Sequence, residues 1–296
     1  MAHSLTIRRA ASPSRGITLA AGLIALLALL VTCMAALSGT ASAAVPGLQR
    51  VERTTAAGSP PAIDQPVSCP TGTKMISGGG SVSGGVGRVI LDGIQLKSFV
   101  DTVTTRAFEQ PSGTNLNWTL SADAMCAKPL KGLVQVDAAT GTNSFAKSVF
   151  AKCPTGKQLV GMGAETSGGV GQVEIDDLIP SSTQMEATGF ETEGGTSANW
   201  SITAHAMCAD PLPGYEIRKL STDSGSFDGQ GVLETCSAGK KVLGVGGEIT
   251  GGLGQVSMDS IVPNANLTSV TVNAHEDANG TANNWNLTGY AICATA

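Results

Sequence analysis

Asn199-Trp200-Ser201-Ile202-Thr203-Ala204-His205-Ala206-Met207-Cys208 alternates strictly: Trp200, Ile202, Ala204, Ala206 and Cys208 share one parity, and Ser201, Thr203, His205 and Met207 the other. A period of two over this length is the pattern of a half-buried β-strand, with the Trp/Ile/Ala/Cys parity facing a core. The same stretch recurs twice, as Asn117-Trp118 with Cys126 and as Asn284-Trp285 with Cys293; in all three copies the Cys follows the Trp by 8 positions.

Working outward, each copy closes a repeat of roughly 83 residues. The first cysteine of each repeat lies in a like motif, Cys69-Pro70-Thr71-Gly72, Cys153-Pro154-Thr155-Gly156 and Cys236-Ser237-Ala238-Gly239, 21 or 22 residues after the repeat's opening Gly47, Gly132 or Gly214. Gly79, Gly163 and Gly246 follow at one offset. Next come Gly84-Gly85-Val86-Gly87, Gly168-Gly169-Val170-Gly171 and Gly251-Gly252-Leu253-Gly254, and then an Asp at matched positions, Asp92, Asp176 and Asp259. Glycine tolerates positive φ, so Gly-Gly-x-Gly between two alternating segments reads as a tight turn or bulge. Pro129, Pro211 and Pro213 mark the joints, which places the repeats at 44–131, 132–213 and 214–296. About six strands per repeat are expected, with no amphipathic helix in this part of the chain.

The fold expected is all-β: three antiparallel β repeats packed as a pseudo-threefold, prism-like body. The alternative is three separate β-sandwich beads. A unit of about 80 residues is marginal alone, and the short joints favour contact between neighbours.

Residues 1–43 have the three-part pattern of a secretory signal peptide: Arg8, Arg9 and Arg15, an apolar run from Ile17 to Leu37, and Ala41-Ser42-Ala43 for cleavage. Cleavage after Ala43 removes Cys33 and leaves six cysteines in an exported chain. These are expected to pair within repeats, Cys69 with Cys126, Cys153 with Cys208 and Cys236 with Cys293, at spacings of 57, 55 and 57. Each bridge would contribute roughly 4 kcal/mol in a chain-entropy account. The alternative localisation is a membrane anchor formed by the uncleaved apolar run. The three arginines leave with the signal, so 15 of the 18 basic residues remain against 23 acidic ones, a net charge of −8. That balance, without Lys/Arg clusters, argues against nucleic acid and anionic membrane as partners.

The chemistry-bearing residues are sparse. His205 and His275 are the only histidines after residue 43 and do not recur at one position, so they are expected to be solvated strand residues. Asp176-Asp177 and Glu276-Asp277 are adjacent carboxylate pairs, also expected to be solvated. The recurring Asp92, Asp176 and Asp259 are expected to cap a turn through backbone amides; one carboxylate per repeat is thin for Ca²⁺. Trp118, Trp200 and Trp285 share strand parity with the cysteines and are expected in the core, where they cannot stack on sugars. No catalytic set, cofactor or metal is expected. The function expected is a secreted non-catalytic binding or cell-envelope protein, its ligand unknown, with an extracellular glycan or cell-wall polymer as the class considered. The alternative is a hydrolase using the unmatched His or acidic residues. The loops Glu109 to Asn115, Glu191 to Ala198 and Glu276 to Asn283, which precede each Asn-Trp and differ between repeats, are expected to carry any multivalent binding; the alternative is that they vary because nothing constrains them.

The pattern Cys-Pro-x-Gly, Gly-x-Gly, Asn-Trp-x-(Leu/Ile)-x-x-x-Ala-x-Cys is similar to that of secreted actinobacterial β-repeat proteins of uncharacterised function. The likeness covers Gly47 to Ala296. It implies export and a β-rich fold and carries over no catalytic residues. The Cys-Pro-x-Gly openings with a downstream Asp also resemble, more distantly, vitelline membrane outer layer protein I, a threefold β-prism with shorter repeats and different later motifs. That resemblance implies a packing and no carbohydrate chemistry.

Overall fold

In the computed structural model, residues 45–85 and 87–296 are described; the segment read as a signal peptide lies outside them. Each repeat supplies six strands. The first contains β1 (Gln49–Thr54), β2 (Ala62–Ser68), β3 (Lys74–Gly84), β4 (Val89–Lys97), β5 (Thr102–Glu109) and β6 (Trp118–Ala127). The second contains β7 (Val134–Ala139), β8 (Lys147–Lys152), β9 (Gln158–Ser167), β10 (Val173–Pro180), β11 (Gln184–Glu191) and β12 (Ser201–Ala209). The third contains β13 (Glu216–Ser221), β14 (Gly229–Thr235), β15 (Lys240–Gly251), β16 (Val256–Pro263), β17 (Ser269–Glu276) and β18 (Trp285–Thr295). Among the described residues there is no helix.

The strands form three six-stranded antiparallel sheets, ordered β1-β6-β3-β16-β17-β14, β13-β18-β15-β10-β11-β8 and β2-β5-β4-β9-β12-β7. Every sheet takes three strands from one repeat and three from another. A repeat is therefore a sandwich of two half-sheets, each of which continues into a neighbour, and the three repeats close cyclically into one pseudo-threefold body. Separate beads are excluded, because the bead edges are the seams.

Within a repeat the two half-sheets pack through the parity read from the sequence. Trp118, Trp200 and Trp285 are 1%, 0% and 0% exposed, beside Leu120, Ile202 and Leu287. A Cβ on Gly189 of β11 would lie 2.7 Å from the Trp200 ring, so the indole of one half-sheet rests on the backbone of the other. The disulfides Cys69–Cys126, Cys153–Cys208 and Cys236–Cys293 join the end of the outer strand of one half-sheet to the inner strand of the other. They staple each sandwich across its layers, and their presence fits an oxidising, extracellular-type environment.

The seams are short. β4 meets β9 at Gly93↔Glu165, β10 meets β15 at Asp177↔Glu248 and Leu178↔Gly247, and β16 meets β3 at Ser260↔Ser81 and Ile261↔Gly80. Just before each contact the strand carries a bulge, and the extra residue is Asp92, Asp176 or Asp259. A bulge bends a strand and increases its local twist; beyond it each strand goes on pairing with its own hairpin partner on one edge while its other edge meets the neighbouring repeat. The recurring Asp thus marks the bend at a seam and does not cap a turn.

Opposite the bulges lie the recurring glycines. A Cβ on Gly79 would sit 2.6 Å from Ile261 O, on Gly163 2.2 Å from Ile94 O, and on Gly246 2.4 Å from Leu178 O. In each case the atom met is a backbone carbonyl of a neighbouring repeat, so the glycine is what permits the close approach.

Candidate functional site

The Gly-Gly-x-Gly turns and the loops before each Asn-Trp gather at one end of the body. Gly84, Gly85, Gly87 and their counterparts all have positive φ. The last glycine of each turn abuts the neighbouring repeat's loop: a Cβ on Gly87, Gly171 or Gly254 would lie within 2.7 Å of the carbonyl of Glu276, Glu109 or Glu191, respectively.

The three loops are not free to vary. All follow Glu-x-x-x-Gly-Thr-x-x-Asn-Trp: Glu109, Gly113, Thr114 and Trp118; Glu191, Gly195, Thr196 and Trp200; Glu276, Gly280, Thr281 and Trp285. One carboxylate oxygen accepts the buried indole N–H, from Trp118 at 3.1 Å, Trp200 at 2.9 Å and Trp285 at 3.0 Å. The other accepts the backbone N–H of Thr114, Thr196 or Thr281. The Thr hydroxyl then accepts the N–H of Leu116, Ala198 or Asn283, and Gly113, Gly195 and Gly280 take the positive φ the turn needs. The core tryptophan thus fixes the loop above it. The identical spacing of Glu, Gly and Thr was the available sequence signal, obscured by the unlike residues between them. Changing Glu191 to Gln leaves one acceptor for two buried donors. The expected cost is about 1 kcal/mol, read from denaturant unfolding; an unchanged midpoint would deny the carboxylate this role.

One position beside these loops differs in kind. Gln172 donates to Gly195 O at 2.9 Å, and Gln255 reaches Gly280 O at 3.4 Å while its oxygen accepts from the Thr281 hydroxyl at 2.8 Å. The first repeat has Arg88 there. Among the described residues its guanidinium has no hydrogen-bond or ion-pair partner. It lines a concavity of about 570 Å³ with Glu109, Ser112, Gly113, Thr114, Asn115 and Leu116.

A second group of polar residues lies at the seams. His205 is 4% exposed, not solvated. Its Nδ1 is 2.8 Å from Asp137 and its Nε2 3.5 Å from Glu165, which also accepts from Gln95 at 2.6 Å. Burial alone would lower the His205 pKa; the Asp137 hydrogen bond and the charges of Asp137 and Glu165 outweigh it and raise it. A general base needs one nitrogen directed at a nucleophile's proton, and here both face carboxylates. The matched positions pair differently: Asp123 with Arg50, and Tyr290 with Glu248.

The bulge aspartates also differ in their partners. Asp92 is buried and accepts from Arg106 Nε at 2.9 Å and from Thr166 at 3.3 Å; burial nevertheless lifts its pKa to about 6. Asp259 meets Nδ1 of half-buried His275, raising the His275 pKa. Asp176 has no such cation: desolvation and the charges of Asp177, Glu174 and Glu248 raise its pKa well above the usual range. The Asp176-Asp177 pair is half-buried rather than solvated as expected, and the two carboxylates act on one another. Glu276 is buried under the Trp285 indole.

Among the described residues no group of three or more His, Cys, Asp or Glu is arranged to hold a metal ion. No family model matches the chain, and no curated protein matches it.

Proposed function

We propose that the chain is a secreted, non-catalytic binding or cell-envelope protein that presents three related corners to an extracellular polymer, a glycan being the class best suited. The observation carrying this reading is the threefold Glu-Gly-Thr loop frame, locked to the core tryptophans and gathered with the Gly-Gly-x-Gly turns at one end. Between the fixed residues the loops offer Ser, Thr, Asn and Gln, which hydrogen-bond hydroxyl groups without bulk. Related corners on one rigid body raise avidity for a repeating polymer without raising the affinity of any single site. Export rests on the pattern of residues 1–43 and on the disulfides. The unlike partners of Asp123, His205 and Tyr290 count against a shared catalytic set.

The test is a glycan and cell-wall polymer array on the intact protein, run beside glycosidase, esterase and peptidase substrates. Binding without turnover is expected, with much tighter apparent binding to a polymer than to its short oligomer. Equal affinity for both removes multivalency. Turnover abolished by His205→Ala replaces the reading with a hydrolase.

A further inference from the structure

We propose that the concavity at Arg88 is an anion-selective subsite for an acidic saccharide, one bearing carboxylate or phosphate groups. The inference rests on the binding reading above and names its ligand class.

It starts from the comparison of three equivalent positions. In the second and third repeats the glutamine amide is used by its own loop, closing Gln172 onto Gly195 and Gln255 onto Gly280. The third corner is further bridged, with Gln255 and Asn279 donating to Glu193 at 2.9 Å and 2.8 Å. In the first repeat the loop frame is complete without the side chain of residue 88, whose backbone carbonyl accepts the Gln110 N–H at 2.8 Å. Glu109 is engaged by Trp118 and Thr114, and the Thr114 carbonyl accepts the Ser59 hydroxyl at 2.7 Å. The Arg88 side chain is therefore not needed to hold the loop, and Glu109, which lines the same concavity, makes no ion pair with it. The guanidinium of half-buried Arg88 is left beside the concavity, its N–H donors unmet by protein among the described residues.

The chemistry around it is that of a sugar acid. The guanidinium fork matches a carboxylate or phosphate with two parallel hydrogen bonds. Ser112, Thr114 and Asn115 line the same surface with groups suited to hydroxyls, and Leu116, 57% exposed, supplies an apolar face. A neutral sugar would satisfy the polar wall but leave the charge unpaired. An inorganic anion would satisfy the charge but leave most of about 570 Å³ empty.

Arg88→Gln installs the residue of the sister repeats, so it converts the corner to a form this fold already carries twice. The measurement is calorimetric titration of the intact protein with two matched pairs: hexagalacturonate against its methyl ester, and phosphomannan against mannan. The charged member of at least one pair is expected to bind about tenfold or more tightly than its neutral match. Arg88→Gln should erase that preference without lowering the melting temperature. The pair showing the preference identifies the anion as carboxylate or phosphate. The inference is overturned if neither pair is discriminated, if Arg88→Gln keeps the preference, or if none of the four probes binds. Equal binding of neutral and charged probes by both proteins overturns this inference and leaves the glycan-binding reading standing.

Discussion

Replacing Gly163 by valine should destabilise the whole body, while Gly141→Ala should be nearly neutral. A Cβ on Gly163 lies 2.2 Å from the Ile94 carbonyl, and Leu96 side-chain atoms close the other side at 3.1 Å and 3.3 Å. The carbonyl belongs to β4 beside its bulge and cannot rotate away as a side chain would. To admit the new atoms, β9 and β4 must separate at a seam held by the single register pair Gly93↔Glu165. Overpacking of side chains typically costs 1–3 kcal/mol; here the obstacle is backbone, so about 3 kcal/mol or more is expected. For a chain of this size that is a fall of roughly 6–12 °C in melting temperature. Gly141 has nothing within 4 Å of its Cβ direction and controls for glycine replacement as such. Equal melting temperatures for the two variants would show that the approach is loose. Because each repeat's half-sheets are completed by its neighbours, an isolated repeat would expose both seam edges. Tests of function therefore belong on the intact chain.

Residues answering to local geometry were legible in the sequence. The alternation at Trp200–Cys208 marked a strand and its buried face. The glycines of Gly168-Gly169-Val170-Gly171 marked a turn, and the matched cysteine spacings marked the bridges. What could not be read was set by pairing distant in sequence. Gly163 recurs because of a carbonyl on another repeat, and no local pattern names Ile94 as the neighbour. Asp176 reads as a turn cap because a bulge leaves the composition untouched and shifts the parity only after it. His205 looked solvated because its carboxylates come from β7 and β9, 68 and 40 positions away. The candidate site was hidden differently. The loops were judged by the residues that vary, whereas the constant Glu, Gly and Thr do the structural work, and Arg88 stands out only once Gln172 and Gln255 are seen bonded to their own loops.

Stability should fall as pH rises from about 4 to 8, and Glu174→Gln should remove much of that fall. Glu174 occupies the position of Ile90 in the first repeat and Ser257 in the third, and all three are buried. The Ser257 hydroxyl donates to one carboxylate oxygen, and the other has no partner. Burial lifts the pKa to about 8 from 4.5; the Ser257 bond opposes the rise and the Asp277 charge adds to it. Asp176 and Asp177 on the same strand are raised too, Asp177 to about 6, by burial first and by neighbouring carboxylates including Glu248. A carboxyl with a raised folded-state pKa keeps its proton where the unfolded chain has released it, so its contribution is complete below the unfolded pKa and is lost as pH rises through the folded one. For Glu174 that window runs from about 4.5 to about 8; Asp92 and Asp177 lose theirs by about pH 6. Lowered groups such as Asp137 and Glu165 act oppositely, but only as pH falls through their own values. Glutamine keeps the shape and cannot ionise. The variant should therefore match the native protein near pH 4 and exceed it at pH 9 by several kcal/mol, with about 5 kcal/mol as the ceiling set by the shift. Urea unfolding of both proteins across this range is the measurement. Parallel curves would mean that Glu174 is ionised at neutral pH and finds its counter-charge in the folded protein.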